Sequence, residues 1–340
     1  MCRLKILATA LLVSASGVRA DVPNVVVDIP PVFSLVSSVM QGVGTPKLLL
    51  RGNESPHNFA LRPSQRRDLG QADIIFWIGD GLTPWLEKAQ ASLTQTPISV
   101  ALGEQTGVVQ LSFREGAFFE NHDDHDDHDD RGGVNGHTEH NRAEKHENAA
   151  AHDGKDHQDH AGHDHAGLDP HFWLDPQNAI HWIYTIADIL SQKDPENAGT
   201  YYANATRTKA SLELLNKNIA QQLAPHRAER FLIVHDAFQY FEARFGLAAQ
   251  GAISDGHAAP PSAARILAIR KLMQDQKISC VFAEPGYNAK LLDNLISETS
   301  VRLKQLDPLG AGLPLNHTLY EAVLQNMADT MVACFTNNEG

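Results

Sequence analysis

Residues 73–78, Asp73-Ile74-Ile75-Phe76-Trp77-Ile78, form an unbroken apolar run. A run of this kind is expected of a strand whose two faces are both covered, the signature of a parallel sheet with helices on either side. Upstream, Val25-Val26-Val27 predicts a strand, Pro31 to Gln41 a helix closed by Gly42, and Lys47 to Leu50 a second strand. Ser64 is placed to cap a short helix. Downstream, a helix is expected over Leu82 to Ser92 and a strand over Ile98 to Leu102. The order is the strand–helix–strand rhythm of an α/β sheet.

The second half repeats that rhythm. Phe231 to Val234, Cys280 to Phe282 and Val301 to Leu306 predict strands; Ala263 to Gln274, Asn288 to Glu298 and His317 to Phe335 predict helices. Between the halves, Leu212, Leu215, Ile219 and Leu223 fall on one helical face within Asp194 to Leu223. A continuous helix there would be roughly 40 Å long. The expected fold is α/β, with two lobes that each hold a parallel sheet flanked by helices, joined by one long rigid helix. The divisions are 1–20 as a secretory signal peptide, 21–190 as the first lobe, 191–226 as the connecting helix and 227–340 as the second lobe.

The first segment is read from Arg3 and Lys5, the apolar Ile6 to Val13, and Val18-Arg19-Ala20, with cleavage expected before Asp21. Its apolar run is too short to span a bilayer, and Cys2 precedes that run, where it is not placed for lipid attachment. Cys280 and Cys334 then remain. In an oxidising compartment such a pair usually forms a disulfide, two separate buried thiols being the other reading.

The net charge of −13 is concentrated in one stretch. Residues 120–165 hold fourteen Asp/Glu against four Lys/Arg, a net −10, leaving −3 for the rest of the chain. No basic stripe suits a nucleic acid. Residues from about 115 to 167 are rich in His, Asp and Gly and poor in large apolar residues, so they are expected to be a disordered insertion in the first lobe. Eleven of the chain's eighteen histidines lie there: His122, His125, His128, His137, His140, His146, His152, His157, His160, His163 and His165. Imidazoles interleaved with carboxylates bind transition metals, here expected to be weak and poorly selective because no rigid geometry rejects the wrong ion.

Three of the other seven histidines sit where ligands bind in α/β sheets, near the carboxyl ends of strands or on a proline-fixed backbone. His57 lies in Ser55-Pro56-His57, His235 follows the strand 231–234, and His171 lies between Pro170 and Pro176. Asp307, ending the strand 301–306, is a fourth candidate. His181 best fits a core histidine, His226 and His317 helix-terminal or surface residues, and His257 a loop residue.

The motifs Pro56-His57-Asn58-Phe59 with Leu61-Arg62-Pro63-Ser64, Asp169-Pro170-His171-Phe172-Trp173-Leu174, Val234-His235-Asp236-Ala237-Phe238, Phe282-Ala283-Glu284-Pro285 and Leu306-Asp307-Pro308-Leu309-Gly310 occur in this order. In that order, with a His-rich insertion before the second, the chain resembles the metal-specific solute-binding proteins of bacterial ABC importers, and among them the zinc-binding ZnuA type. The resemblance covers essentially the whole chain after residue 20. It implies Zn²⁺ held between the lobes by His57, His171 and His235, with Asp307 as the acidic residue of the site and a disulfide between Cys280 and Cys334. It also implies a periplasmic location and a membrane permease as partner. A periplasmic zinc chaperone is a further expected partner, and the chain is expected to act as a monomer. Some zinc-type members carry a glutamate immediately before the first metal histidine; here Pro56 stands there, so Asp307 or water is left for the fourth position.

Manganese-type relatives place a carboxylate where this chain has His235, and three imidazoles with one carboxylate suit tetrahedral Zn²⁺ better than Mn²⁺. Protons should compete with the metal as pH falls through about 6.5. Two other readings use the same residues. One is a zinc hydrolase with a His₃ site and Glu284 as general base; in that reading's rival, Glu284-Pro285 merely shapes a strand end. The other is a zinc buffer or chaperone acting through the His-rich tract.

Overall fold

The structure is a computed structural model, and it describes residues 22–51, 54–114, 118–119, 167–254, 261–287, 289–297 and 299–336. Residues 1–20, most of the His-rich stretch and His257 therefore lie outside the described residues. The first lobe contains β1 (Val25–Val27), α1 (Pro30–Val39), β2 (Lys47–Leu48), α2 (Pro63–Gly70), β3 (Ile74–Trp77), α3 (Pro84–Ala91) and β4 (Ile98–Ala101). Two long helices follow, α4 (Pro176–Lys193) and α5 (Ala198–Leu223). The second lobe contains β5 (Phe231–His235), α6 (Gln239–Phe245), β6 (Ala252–Ser254), α7 (Ala263–Asp275), β7 (Cys280–Ala283), α8 (Ala289–Ile296) and β8 (Arg302–Gln305), and α9 (Leu319–Phe335) closes the chain.

Both sheets are four-stranded and wholly parallel, with orders β2-β1-β3-β4 and β6-β5-β7-β8. One topology is thus used twice, with the first strand of each lobe second from the edge. Each sheet has an inner strand buried along its whole length, β3 in the first and β5 in the second, as helices on both faces require.

Local chemistry sets the helix ends. Pro30 and Pro31 open α1, where a missing N–H is harmless. The carbonyls of Val39 and Gln41 at its far end accept both N–H bonds of the buried Asn204 side chain on α5, at 2.8 Å each. The helix begun near Ser64 differs from the expectation. Pro63 takes the first helical position and Arg62 is the cap, its N–H bonded to Gln65 Oε1 at 2.7 Å, because proline's fixed φ suits the first turn. Three elements without a separate signal are α4, α6 and β6; α6 ends at Gly246, whose φ of 71° is open to glycine.

The connecting helix is not a bare rod. Tyr201, Ala205, Leu212, Ile219 and Leu223 of α5 are buried, and α5 packs against α1, α4 and α9. One continuous apolar core runs from Val25 in the first sheet through Trp182 and Leu212 to Phe282 in the second sheet and Phe335 in α9. Truncating Leu212 to alanine should therefore cost about 2–5 kcal/mol. Cys280 in β7 and Cys334 in α9 form the expected disulfide, 54 residues apart. No helix among the described residues is long and apolar enough to cross a membrane.

Candidate metal centre

His57, His171 and His235 come from three parts of the chain and meet in one cleft. His57 stands in the loop between β2 and α2. That loop is held by Trp85 of α3, whose indole N–H donates to the Pro56 carbonyl at 2.7 Å. The Phe59 ring packs 5.1 Å from the Trp85 ring. His171 lies just before α4, 2% exposed, and His235 is the last residue of β5, 3% exposed. The ring centroids are 5.6 Å apart for His57 and His171, 5.7 Å for His57 and His235, and 5.1 Å for His171 and His235. One nitrogen from each ring lies within 4.8 Å of the others. The cleft around them has a volume of about 230 Å³ and is walled by Trp173, Glu284, Tyr287 and Asp307, among others.

The two buried rings are oriented by carboxylates. His171 Nδ1 lies 2.6 Å from Asp169 Oδ1, which also accepts the His171 backbone N–H at 3.0 Å. His235 Nδ1 lies 2.7 Å from Glu284 Oε2. Where its carboxylate is ionised, each pair makes Nδ1 the donor and leaves Nε2 as the nitrogen for a metal, the arrangement typical of metal-ligating histidine. Glu284 follows β7, and β7 pairs with β5 in a register that sets Ile233 opposite Phe282. Two residues further along, His235 and Glu284 stand abreast.

Burial works to raise the Glu284 carboxyl, but the charge and hydrogen bond of His235, with the fields of His171 and His57, hold it below its usual value. Asp169 goes the other way. Burial pushes it up to about 7 against the pull of the His171 N–H and the Arg114 charge. Asp236, next to His235, is likewise pushed by burial to about 6, opposed by Arg114.

Asp307 lines the same cleft but is not one of the group whose donor atoms lie within 4.8 Å. Its Oδ1 accepts the N–H groups of Leu309 and Gly310 at 2.9 and 2.8 Å, and its Oδ2 that of Ala311 at 2.7 Å. The carboxylate thus shapes its own turn. The Pro308 carbonyl of that turn accepts the Trp173 indole N–H at 2.8 Å, tying it to the stretch that carries His171.

The remaining described histidines stand apart. His181 is exposed on α4 beside Gly107, contrary to the core position expected for it, because Trp182 rather than His181 turns toward the core. His226 lies near the Phe335 ring, and the His317 carbonyl accepts from Ser38. The partners of the two buried rings are the residues that sequence reasoning misses. Asp169 has a local signal, its place two residues before His171; Glu284 as a partner of His235 requires the strand register.

Two α/β lobes with three histidines, two of them buried, converging in the cleft between them define a metal-directed solute-binding protein. Residues 25–334 match the ZnuA family, described as zinc-uptake complex component A, periplasmic. The chain belongs to this family. It is 40% identical over 332 residues to the high-affinity zinc uptake system protein ZnuA of Brucella suis biovar 1, covering 97% of each chain. It is also 40% identical over 330 residues to the ZnuA of Paracoccus denitrificans, again covering 97% of each. In fold it is similar to the crystal structure of a ZnuA deletion mutant with zinc bound, with a TM-score of 0.68 at 23% identity, covering 92% of this chain and 98% of that one. The family's members are periplasmic transport components and not enzymes.

Proposed function

We propose that this chain captures Zn²⁺ in the periplasm, holds it with His57, His171 and His235, and delivers it to the membrane permease of an ABC importer. The convergence of the three imidazoles, with their donor atoms within 4.8 Å, carries this reading. Three neutral nitrogens at that spacing suit tetrahedral Zn²⁺. The carboxylates on Nδ1 of His171 and His235 raise ligand basicity and fix ring orientation. For the fourth position the three turn bonds of Asp307 favour water over its carboxylate, although an oxygen accepting one N–H keeps a lone pair for a metal.

The continuous core through α5 favours small adjustments of the two lobes over wide hinge closure. Glu284 does not favour a hydrolase, because it is engaged in orienting His235. Residues 1–20 serve as the export signal and are removed. The chain acts as a monomer, and a periplasmic zinc chaperone is a further partner. The eleven histidines from His122 to His165 gather zinc weakly for transfer to the cleft.

Calorimetric titration of the mature chain tests the assignment. One tight site and several weak ones are expected, and deletion of residues 120–165 should remove the weak ones alone. Loss of the tight site on that deletion would place the main ligands in the tract and overturn the reading.

A further inference from the structure

Leu111 to Arg114 crosses from the first lobe onto the second, where it meets Tyr240, Asp236 and Glu242. The segment pairs with residues 167–169: Ser112 bridges Leu168 in antiparallel fashion, Phe113 N–H donates to the Gly167 carbonyl at 2.7 Å, and Asp169 N–H to the Leu111 carbonyl at 2.8 Å. Both strands of this stem are gripped by α6. The Tyr240 hydroxyl accepts the Leu111 N–H and donates to the Asp169 carbonyl, each at 2.9 Å. The stem therefore carries Asp169, the partner of His171, on a support belonging to the other lobe.

Arg114 fastens it. Its Nε lies 3.0 and 3.2 Å from the two carboxylate oxygens of Asp236, and its terminal nitrogens lie 2.7 and 3.1 Å from those of Glu242. A further terminal-nitrogen bond reaches Asp236. The Asp236 and Glu242 side chains are 3% exposed and that of Arg114 16%. The Phe119 ring covers the guanidinium at 3.8 Å, and Phe119 N–H donates to the Gln250 carbonyl at 3.1 Å. Asp236 is the residue after His235. Through Arg114, the strand end that carries His235 and the stem that leads to His171 share one planar clamp.

We propose that Arg114 is a positioning residue for the metal centre: it holds the Asp169–His171 stem in register with the end of β5, so that the two buried imidazoles meet at metal-binding distance. The proposal rests on the reading of these histidines as ligands. Two buried carboxylates require a cation in any case, and a buried ion pair is weak evidence for added stability. What distinguishes positioning from charge balance is shape. A guanidinium addresses two carboxylates at once through paired bonds, which an ammonium does not.

The test compares the mature chain with Arg114→Lys, Arg114→Gln and the neutral triple variant Arg114→Gln, Asp236→Asn, Glu242→Gln. Zinc affinity is measured against a chromogenic chelator, site geometry by the visible spectrum of bound Co²⁺, and apo stability by thermal midpoint. Arg114→Gln should lose zinc affinity by roughly tenfold or more, as outer groups of a metal site do, with an altered Co²⁺ spectrum. Arg114→Lys should recover only part of the loss. The triple variant should regain the midpoint yet keep the weakened affinity and the altered spectrum. Wild-type affinity and spectrum in Arg114→Gln, or their full return in the triple variant, would reduce Arg114 to charge balance and overturn the proposal. His171→Ala serves as the separate control: unchanged tight zinc binding there would remove the site reading itself, whatever Arg114 does.

Discussion

The two lobes share a topology and use it differently. In each, the first strand lies second from the edge, and its carboxyl end is the place where an open α/β sheet offers a binding position. In the second lobe that end carries His235, held by Glu284 from the neighbouring strand β7. In the first lobe the matching end carries Asp28, fully buried, whose carboxyl accepts the N–H groups of Ile29 at 2.8 Å and Ile78 at 2.9 Å. The first lobe thus closes its own switch point with a carboxyl group. It supplies His57 from a loop after the adjacent strand β2, and His171 arrives on the stretch before α4. A repeated fold supplies equivalent positions, and side-chain chemistry decides which of them meets the metal.

The largest effect should come from His235→Ala, which removes the ligand at the open switch point. The tight zinc site should vanish from a calorimetric titration while the fold, followed by circular dichroism, persists. A retained tight site would break the contrast between the lobes. Glu284→Gln is the finer probe. It keeps an acceptor for the Nδ1–H of His235 but loses the charge, and zinc affinity should fall roughly ten- to a hundredfold in chelator competition.

The lobes should also differ in how they are braced. The disulfide closes a loop between β7 and α9 in the second lobe, and among the described residues the first lobe has none. Replacing both Cys280 and Cys334 with alanine should cost about 4 kcal/mol in the chain-entropy model, measured by denaturant unfolding. Hydrogen exchange should rise mainly in β7, β8 and α9; an equal rise in β1 and β3 would show that the shared core spreads the loss over both lobes.

The smallest effect on binding is expected at Asp28. Burial raises its carboxyl from 3.8 to about 7, against the pull of the Ile78 and Ile29 N–H groups. Between those values the folded state holds a proton that the unfolded state has released, so this group's contribution to stability declines as pH rises through the window. Asp28→Asn should flatten that part of the pH–stability curve in denaturant titrations and leave zinc affinity near its wild-type value. A large loss of zinc affinity would mean that the sealed switch point of the first lobe also governs the metal site.

Much of this is legible in the order of the amino acids. The apolar runs 74–77 and 231–234 declare buried strands because a strand covered on both faces has no polar alternation to hide. The three histidines separate from the other fifteen by their neighbours: a strand end, a turn and a proline-fixed segment. Other features are silent for physical reasons. β6, Ala252–Ser254, holds one large apolar residue in three, so it lacks the apolar run that marks β1. Ser64 has the look of a helix cap because a serine before a helical pattern usually is one, yet Pro63 is better suited to the first turn.

By itself the sequence determined the two α/β halves, the cysteine pair and the identity of the three histidines, since these depend on local periodicity and residue type. Only the tertiary structure decided what each histidine leans on. Glu284 reaches His235 through the register of β5 and β7, a pairing between residues 49 apart. Arg114 meets Asp236 only because the stem crosses between lobes, over a separation of 122 residues. The turn bonds that occupy Asp307 depend on how its loop closes against Trp173. Both the partner chosen by each strand and the crossing of the stem arise from packing between distant segments.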